Sequence, residues 1–266
     1  MRLHFILLVV ALFSLASPPR VSIASPTHRL YLPALEVSPP RPVPLSAIYV
    51  VAGQSNAMSM GYSAQASTSS ARMLTGSTWS RLIDPFDPVP TLGASGSWVV
   101  PLANRLGGQV GFVPTAVSAT RIGQWAAGSV NYNRMVARAR LAGAPITAVL
   151  WWQGESDRIE ETPASTYRTA LADLALRVRA DLGAPLVVAE IGPDVRYSST
   201  ESESIRGPQR SCWATCPNVV RGPSFADVGA VSDGIHFRSD TELALAGGRW
   251  ATALTAAGLA PQSQRP

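Results

Sequence analysis

Four stretches of nearly continuous apolar residues punctuate the chain: Ala47–Ala52, Val110–Val117, Ile146–Trp152 and Leu186–Ile191. Each is rich in Val, Ile or Trp and bounded by turn residues, which predicts strands buried on both faces, the pattern of a parallel sheet. Between them, apolar positions recur at spacings of three and four over Tyr132–Leu141 and Tyr167–Leu182, and the second run stops at Gly183 before Pro185. A last helix is predicted around Thr241–Leu254. Strands alternating with helices predict an α/β sandwich, not an eight-unit barrel. Ser59–Pro90 and Val195–Val231 break the pattern. Rich in Ser, Gly, Pro and Arg, they are expected to be long loops that follow strand ends and border a site.

Residues 1–24 have the pattern of a secretory signal peptide. A charged Met1-Arg2 precedes an apolar run from Phe5 to Ala16, with small-residue exits at Ser14-Leu15-Ala16 and Ser22-Ile23-Ala24. The run falls short of the about 20 apolar residues that span a bilayer, so a secreted or extracytoplasmic product without a membrane anchor is expected. Residues 25–46 carry six prolines and are expected to be an extended leader. The folded domain is then expected over residues 47–258 and a tail over 259–266. A chain of 266 residues with 46% hydrophobic content can bury one sizeable core, which excludes a disordered chain.

The formal charge is +5, and every one of the 22 basic residues is arginine. They are scattered, without a basic block or interleaved aromatics, which predicts a solvated surface and no nucleic-acid partner. Cys212 and Cys216 are too few for a zinc site, which wants four ligands, and no histidine lies nearby. In an exported chain a local disulfide is expected, shaping a surface loop more than restraining the unfolded chain. No metal or cofactor is implied.

The chemistry converges on one histidine. Of three, His4 lies in the signal segment and His28 in the leader, which leaves His236 for the folded body. Ser55 follows the first strand in Gly53-Gln54-Ser55-Asn56. Alone it can be a turn or helix cap; beside a base it becomes a nucleophile. Asp233, three residues before His236 with Gly234 between, can reach Nδ1 of the imidazole and leave Nε2 to face Ser55. Gln153, in Trp152-Gln153-Gly154-Glu155-Ser156-Asp157, can donate to a developing oxyanion or simply bind a loop backbone. Glu155 and Asp157 could act as a glycosidase-like acid pair, but no second carboxylate wall accompanies them. After the second strand, in Ser118-Ala119-Thr120-Arg121-Ile122-Gly123-Gln124-Trp125, backbone amides can complete an oxyanion hole. Trp125 is either a platform for a sugar ring or a core residue.

These segments resemble the sialate O-acetylesterase and acetylxylan esterase group, carbohydrate esterase family six, within the SGNH-hydrolase superfamily. The matching residues are Gly53-Gln54-Ser55-Asn56, Trp152-Gln153-Gly154-Glu155-Ser156-Asp157 and Asp233-Gly234-Ile235-His236-Phe237, in the family's order across about Ala47 to Leu254. The resemblance implies a three-layer, flavodoxin-like α/β/α fold with a five-stranded parallel sheet. It implies Ser55 as nucleophile, His236 as base and Asp233 as orienting acid, with Glu155 the second candidate for that acid. It places Gln153 in the oxyanion hole, where the N–H groups of Ser55 and Ala119 are expected to join it, and Asn56 and Trp125 are expected to face substrate. Where the family usually carries a Gly-Gly-Thr-like segment, this chain has Ser118-Ala119-Thr120; the N–H survives, but a Cβ restricts the dihedrals and crowds the pocket. The expected activity is removal of acetyl groups from carbohydrate. The alternatives are a catalytically weak carbohydrate binder of the same fold and an esterase of lipids or small esters.

Overall fold

A computed structural model describes residues 44–86 and 95–261. The expected signal peptide, the leader up to Val43 and the last five residues of the tail lie outside the described residues. The elements are β1 (Ala47–Gly53), β2 (Arg72–Thr75), β3 (Thr78–Arg81), α1 (Val99–Leu106), β4 (Val110–Pro114), α2 (Val130–Arg140), β5 (Ala148–Trp152), α3 (Glu155–Ile159), α4 (Ala164–Leu182), β6 (Leu186–Glu190), α5 (Ser199–Thr215), β7 (Val219–Ser224) and α6 (Asp240–Ala256).

The strands form one 7-stranded sheet in the order β3-β2-β4-β1-β5-β6-β7. All neighbours run parallel except β3, which closes an antiparallel hairpin with β2 at one edge. The expected five-stranded sheet is therefore extended at that edge by a hairpin that arises inside a stretch expected to be loop. The reason is local: β2 and β3 are four residues each, with only Met73, Leu74 and Trp79 apolar between them, too short to stand out against their Ser-rich surroundings.

Alternating side chains of the central strand feed two cores. Tyr49 and Val51 pack with Phe112, Leu150 and Trp152 against α1 and α6. Ile48, Val50 and Ala52 pack with Val113, Val149 and Trp151 against α2, α4 and α5. Two helical layers thus cover the two faces, which is why the strands read as continuous apolar runs.

The second expected loop also holds regular structure, α5 and β7. Helix α5 is capped by Ser198 and Glu201, yet its inward face contains Ser202, Arg206 and Gln209. These polar groups are buried because they bond inward: Arg206 donates to the carbonyls of Ile191 and Gly192, and Gln209 to that of Gln153. Gly207-Pro208 inside the helix further disguises it. Strand β7 tolerates Pro223 because it is an edge. Cys212 and Cys216 are joined at the last turn of α5, with Cys212 fully buried, so the disulfide closes a helix end and not the expected surface loop.

Candidate active site

The chain leaves β1 toward the β4 side, then crosses back to β5, so β1 is the point where the direction of strand succession reverses. In open α/β sheets the carboxyl ends of strands at such a point form the ligand crevice. The segments after β1, β4 and β5 all converge there. Gly53 makes the exit possible: its φ is +124°, and a Cβ would stand 2.0 Å from the Trp152 carbonyl oxygen. The chain then turns tightly through Ser55–Ala57.

The loop of residues 232–239 brings His236 to Ser55. Ser55 Oγ lies 3.0 Å from His236 Nε2, and His236 Nδ1 lies 2.9 Å from Asp233 Oδ2. Asp233 Oδ1 also accepts from the His236 and Ile235 N–H groups. Burial alone would raise the Asp233 carboxyl, but those hydrogen bonds together outweigh it and hold the group below the ordinary carboxylate range. Gly234 takes φ +87° at a point where a Cβ would strike the Val195 side chain.

Asn56 is buried and holds this loop in register with the serine. Its Nδ2 donates to Glu155 Oε1 at 2.7 Å and to the Ile235 carbonyl at 3.1 Å, while its Oδ1 accepts from the Phe237 N–H at 3.3 Å. Both chain neighbours of His236 are thus clamped to the residue after Ser55. The expected substrate contact of Asn56 is corrected to this internal role, because its amide is fully engaged. Glu155 is buried behind Asn56 and makes no bond to His236, which has Asp233 as its carboxylate.

Gln153 is also corrected. It is fully buried, and its two amide hydrogens have acceptors in Asp157 Oδ2 at 2.5 Å and the Thr120 carbonyl at 2.9 Å. Its Oε1 accepts from the Tyr167 hydroxyl. No hydrogen remains for an oxyanion. Asp157 accepts from the Ile122 N–H as well, and burial pushes its carboxyl up. With Glu155 and Asp157 both almost wholly buried, neither forms part of a glycosidase-like pair open to substrate. Trp125 is completely buried, edge-on to Trp151, with its indole N–H on Thr120 Oγ1; it is a core residue, not a sugar platform.

Ala119 sits exposed after β4 with φ +55°, a left-handed conformation that costs a residue bearing a Cβ about 1–2 kcal/mol. Neither its N–H nor that of Ser55 meets an acceptor among the described residues.

Two residues that the sequence did not single out hold the site together. Glu242, in the first turn of α6, accepts from the Ser232 N–H and hydroxyl and from the N–H groups of Arg238 and Ser239. One carboxylate therefore pins both ends of the His236 loop. Its signal was present as the Ser239-x-x-Glu242 capping box. Gln54 reaches across the strand end and accepts the Ser156 N–H at the start of α3. Among the described residues no group of three or more His, Cys, Asp or Glu side chains gathers as metal ligands would.

Residues 45–256 match the carbohydrate esterase family described as sialic acid-specific acetylesterase. The chain belongs to this family. Over 79 residues it is 42% identical to a probable carbohydrate esterase of Arabidopsis thaliana; that stretch is 29% of this chain and 30% of the relative's length. Among solved structures, one from Arabidopsis thaliana is similar with a TM-score of 0.66 at 25% identity, over 80% of this chain and 99% of that one. NanS shares the fold with a TM-score of 0.62 at 17% identity, over 80% and 97% of the two chains. A carbohydrate acetylesterase from Xanthomonas citri shares it with a TM-score of 0.57 at 20% identity, over 78% and 55%. The family's matched span begins just ahead of β1 and ends with α6, so it includes every element that supplies the crevice.

Proposed function

We propose that this protein is an exported serine esterase that removes O-acetyl groups from carbohydrate. The observation that carries the reading is the unbroken line from Ser55 Oγ through the His236 ring to Asp233, at 3.0 and 2.9 Å. Family membership supplies the class of ester. The signal-like pattern of residues 1–24 supports export.

In the proposed reaction His236 Nε2 takes the Ser55 proton as Oγ attacks the acetyl carbonyl. The N–H groups of Ser55 and Ala119 bind the oxyanion, without Gln153. Collapse expels the sugar hydroxyl, protonated by His236, and leaves acetyl-Ser55. Water, deprotonated by the same imidazole, then releases acetate. Asp233 holds the ring's tautomer and stabilises its cation.

Ser55→Ala is expected to abolish hydrolysis of 4-nitrophenyl acetate with an unchanged circular dichroism spectrum; undiminished turnover would sink the assignment. A second reading, a weak or inactive carbohydrate binder, is favoured by the engaged Gln153 amide and the left-handed Ala119. A fluorophosphonate probe separates the two, since only a competent nucleophile labels at Ser55.

A further inference from the structure

Trp125 lies in the core, but one exposed aromatic is tied to the loop that carries His236. Tyr62 is 53% exposed, the only aromatic among the large hydrophobic side chains exposed in the described residues. It is tied to the catalytic loop at two points. Its N–H donates to the Arg238 carbonyl at 2.9 Å. The Arg238 guanidinium lies over its ring, 4.6 Å from the centroid, and also donates to Asp233 Oδ2 at 3.3 Å. A single guanidinium thus separates the ring from the acid of the triad.

We propose that Tyr62 is the platform on which the pyranose ring of the acetylated sugar stacks while its acetyl group lies at Ser55. The inference rests on the esterase reading and goes further by naming the residue that recognises the leaving group. The chemistry is that of the ring: the C–H face of a pyranose matches an aromatic face. Arg238 covers one side and fixes the ring's orientation, so little conformational freedom is lost on binding. More than half of the residue is left in solvent for a ligand, although burial against the core would otherwise favour covering a tyrosine.

The test compares an acetylated xylo-oligosaccharide with ethyl acetate, whose leaving group has no ring. Tyr62→Ala should lower the ratio of kcat/KM for the oligosaccharide to that for ethyl acetate by about three- to tenfold, mostly through KM, as expected for one lost stacking contact. Tyr62→Phe should keep the ratio near wild type. In the Ser55→Ala background, titration calorimetry with the oligosaccharide should show Kd weakened by the same factor on adding Tyr62→Ala. An unchanged ratio, or an equal loss on both esters, overturns the proposal. If the wild-type protein hydrolyses neither ester, the esterase reading fails separately. The binding comparison then decides Tyr62: a weaker Kd upholds it, and an unchanged Kd overturns it.

Discussion

Two polar segments meet at the carboxyl edge of the sheet, and they are built in opposite ways. Residues 153–157 after β5 are buried almost completely, with Gln153, Glu155 and Asp157 each hydrogen-bonded to partners inside the protein. The loop of residues 232–239 is partly exposed: the side chains of His236 and Asp233 keep 20% and 26% of their surface in solvent. The first segment has the richer set of chemical groups, with a glutamine and two carboxylates, yet it is scaffold. The second has one carboxylate and one imidazole, and the imidazole faces Ser55. Burial separates the two arrangements: groups shut away from water and bonded inward hold positions, while a group that is to react must keep one side open to substrate. The two segments are joined through Asn56, which donates to Glu155 on one side and grips both neighbours of His236 on the other.

The comparison is broken most directly at Asp233. Asp233→Asn removes the acceptor for the imidazole Nδ1–H, and kcat should fall about 10²- to 10³-fold. That is less than for a wholly buried acid, since Asp233 is partly solvated. The same variant tests the acid limb of stability. A carboxyl held below its ordinary value of 3.8 binds fewer protons folded than unfolded, so its stabilisation is complete above that value and lost as pH falls through the depressed one. Chemical unfolding of the Asn variant should lack this part of the acid slope. A variant with wild-type kcat would move the catalytic acid elsewhere.

A smaller effect, of a different kind, is expected in the buried segment. Gln153→Ala leaves the Asp157 carboxylate, the Thr120 carbonyl and the Tyr167 hydroxyl without their amide partner. Unpaired buried groups of this sort cost about 2–4 kcal/mol of stability, while kcat below the melting transition should stay within about tenfold. An oxyanion donor behaves the other way, losing about 10²–10³ in kcat with the fold unaltered. Calorimetry and steady-state kinetics on this one variant therefore decide whether Gln153 supports the site or reacts in it.

How far the sequence reached follows the same division. The four buried strands were legible because both faces of the sheet are covered, leaving apolar runs with no alternation. His236 stood out because it is the only histidine among the described residues. Helix α5 was hidden because its buried face is built from Ser202, Arg206 and Gln209, whose burial depends on carbonyls that only the tertiary fold supplies. The orientations of Gln153 and Trp125 were illegible for a related reason. Either residue type suits a cleft or an interior, and what decided each was the set of partners the fold places beside it: Asp157 and Tyr167 for the amide, Thr120 and Trp151 for the indole.

The smallest expected effect concerns Ala119, where the two donors proposed for the oxyanion differ most. The Ser55 N–H is fixed by a buried turn, whereas Ala119 is exposed and held at φ +55°. Ala119→Gly removes a left-handed penalty of about 1–2 kcal/mol but adds about 0.5–1 kcal/mol of unfolded-chain entropy. The net gain should lie between zero and about 1.5 kcal/mol, a rise in Tm of at most about 3–6 °C for a domain of this size. Because the N–H keeps its place, kcat/KM for 4-nitrophenyl acetate should stay within about threefold. The result that would rewrite the site is the reverse: a tenfold faster Gly variant with an unchanged Tm. The Cβ of Ala119 would then be obstructing the acetyl group, and the left-handed backbone would be incidental.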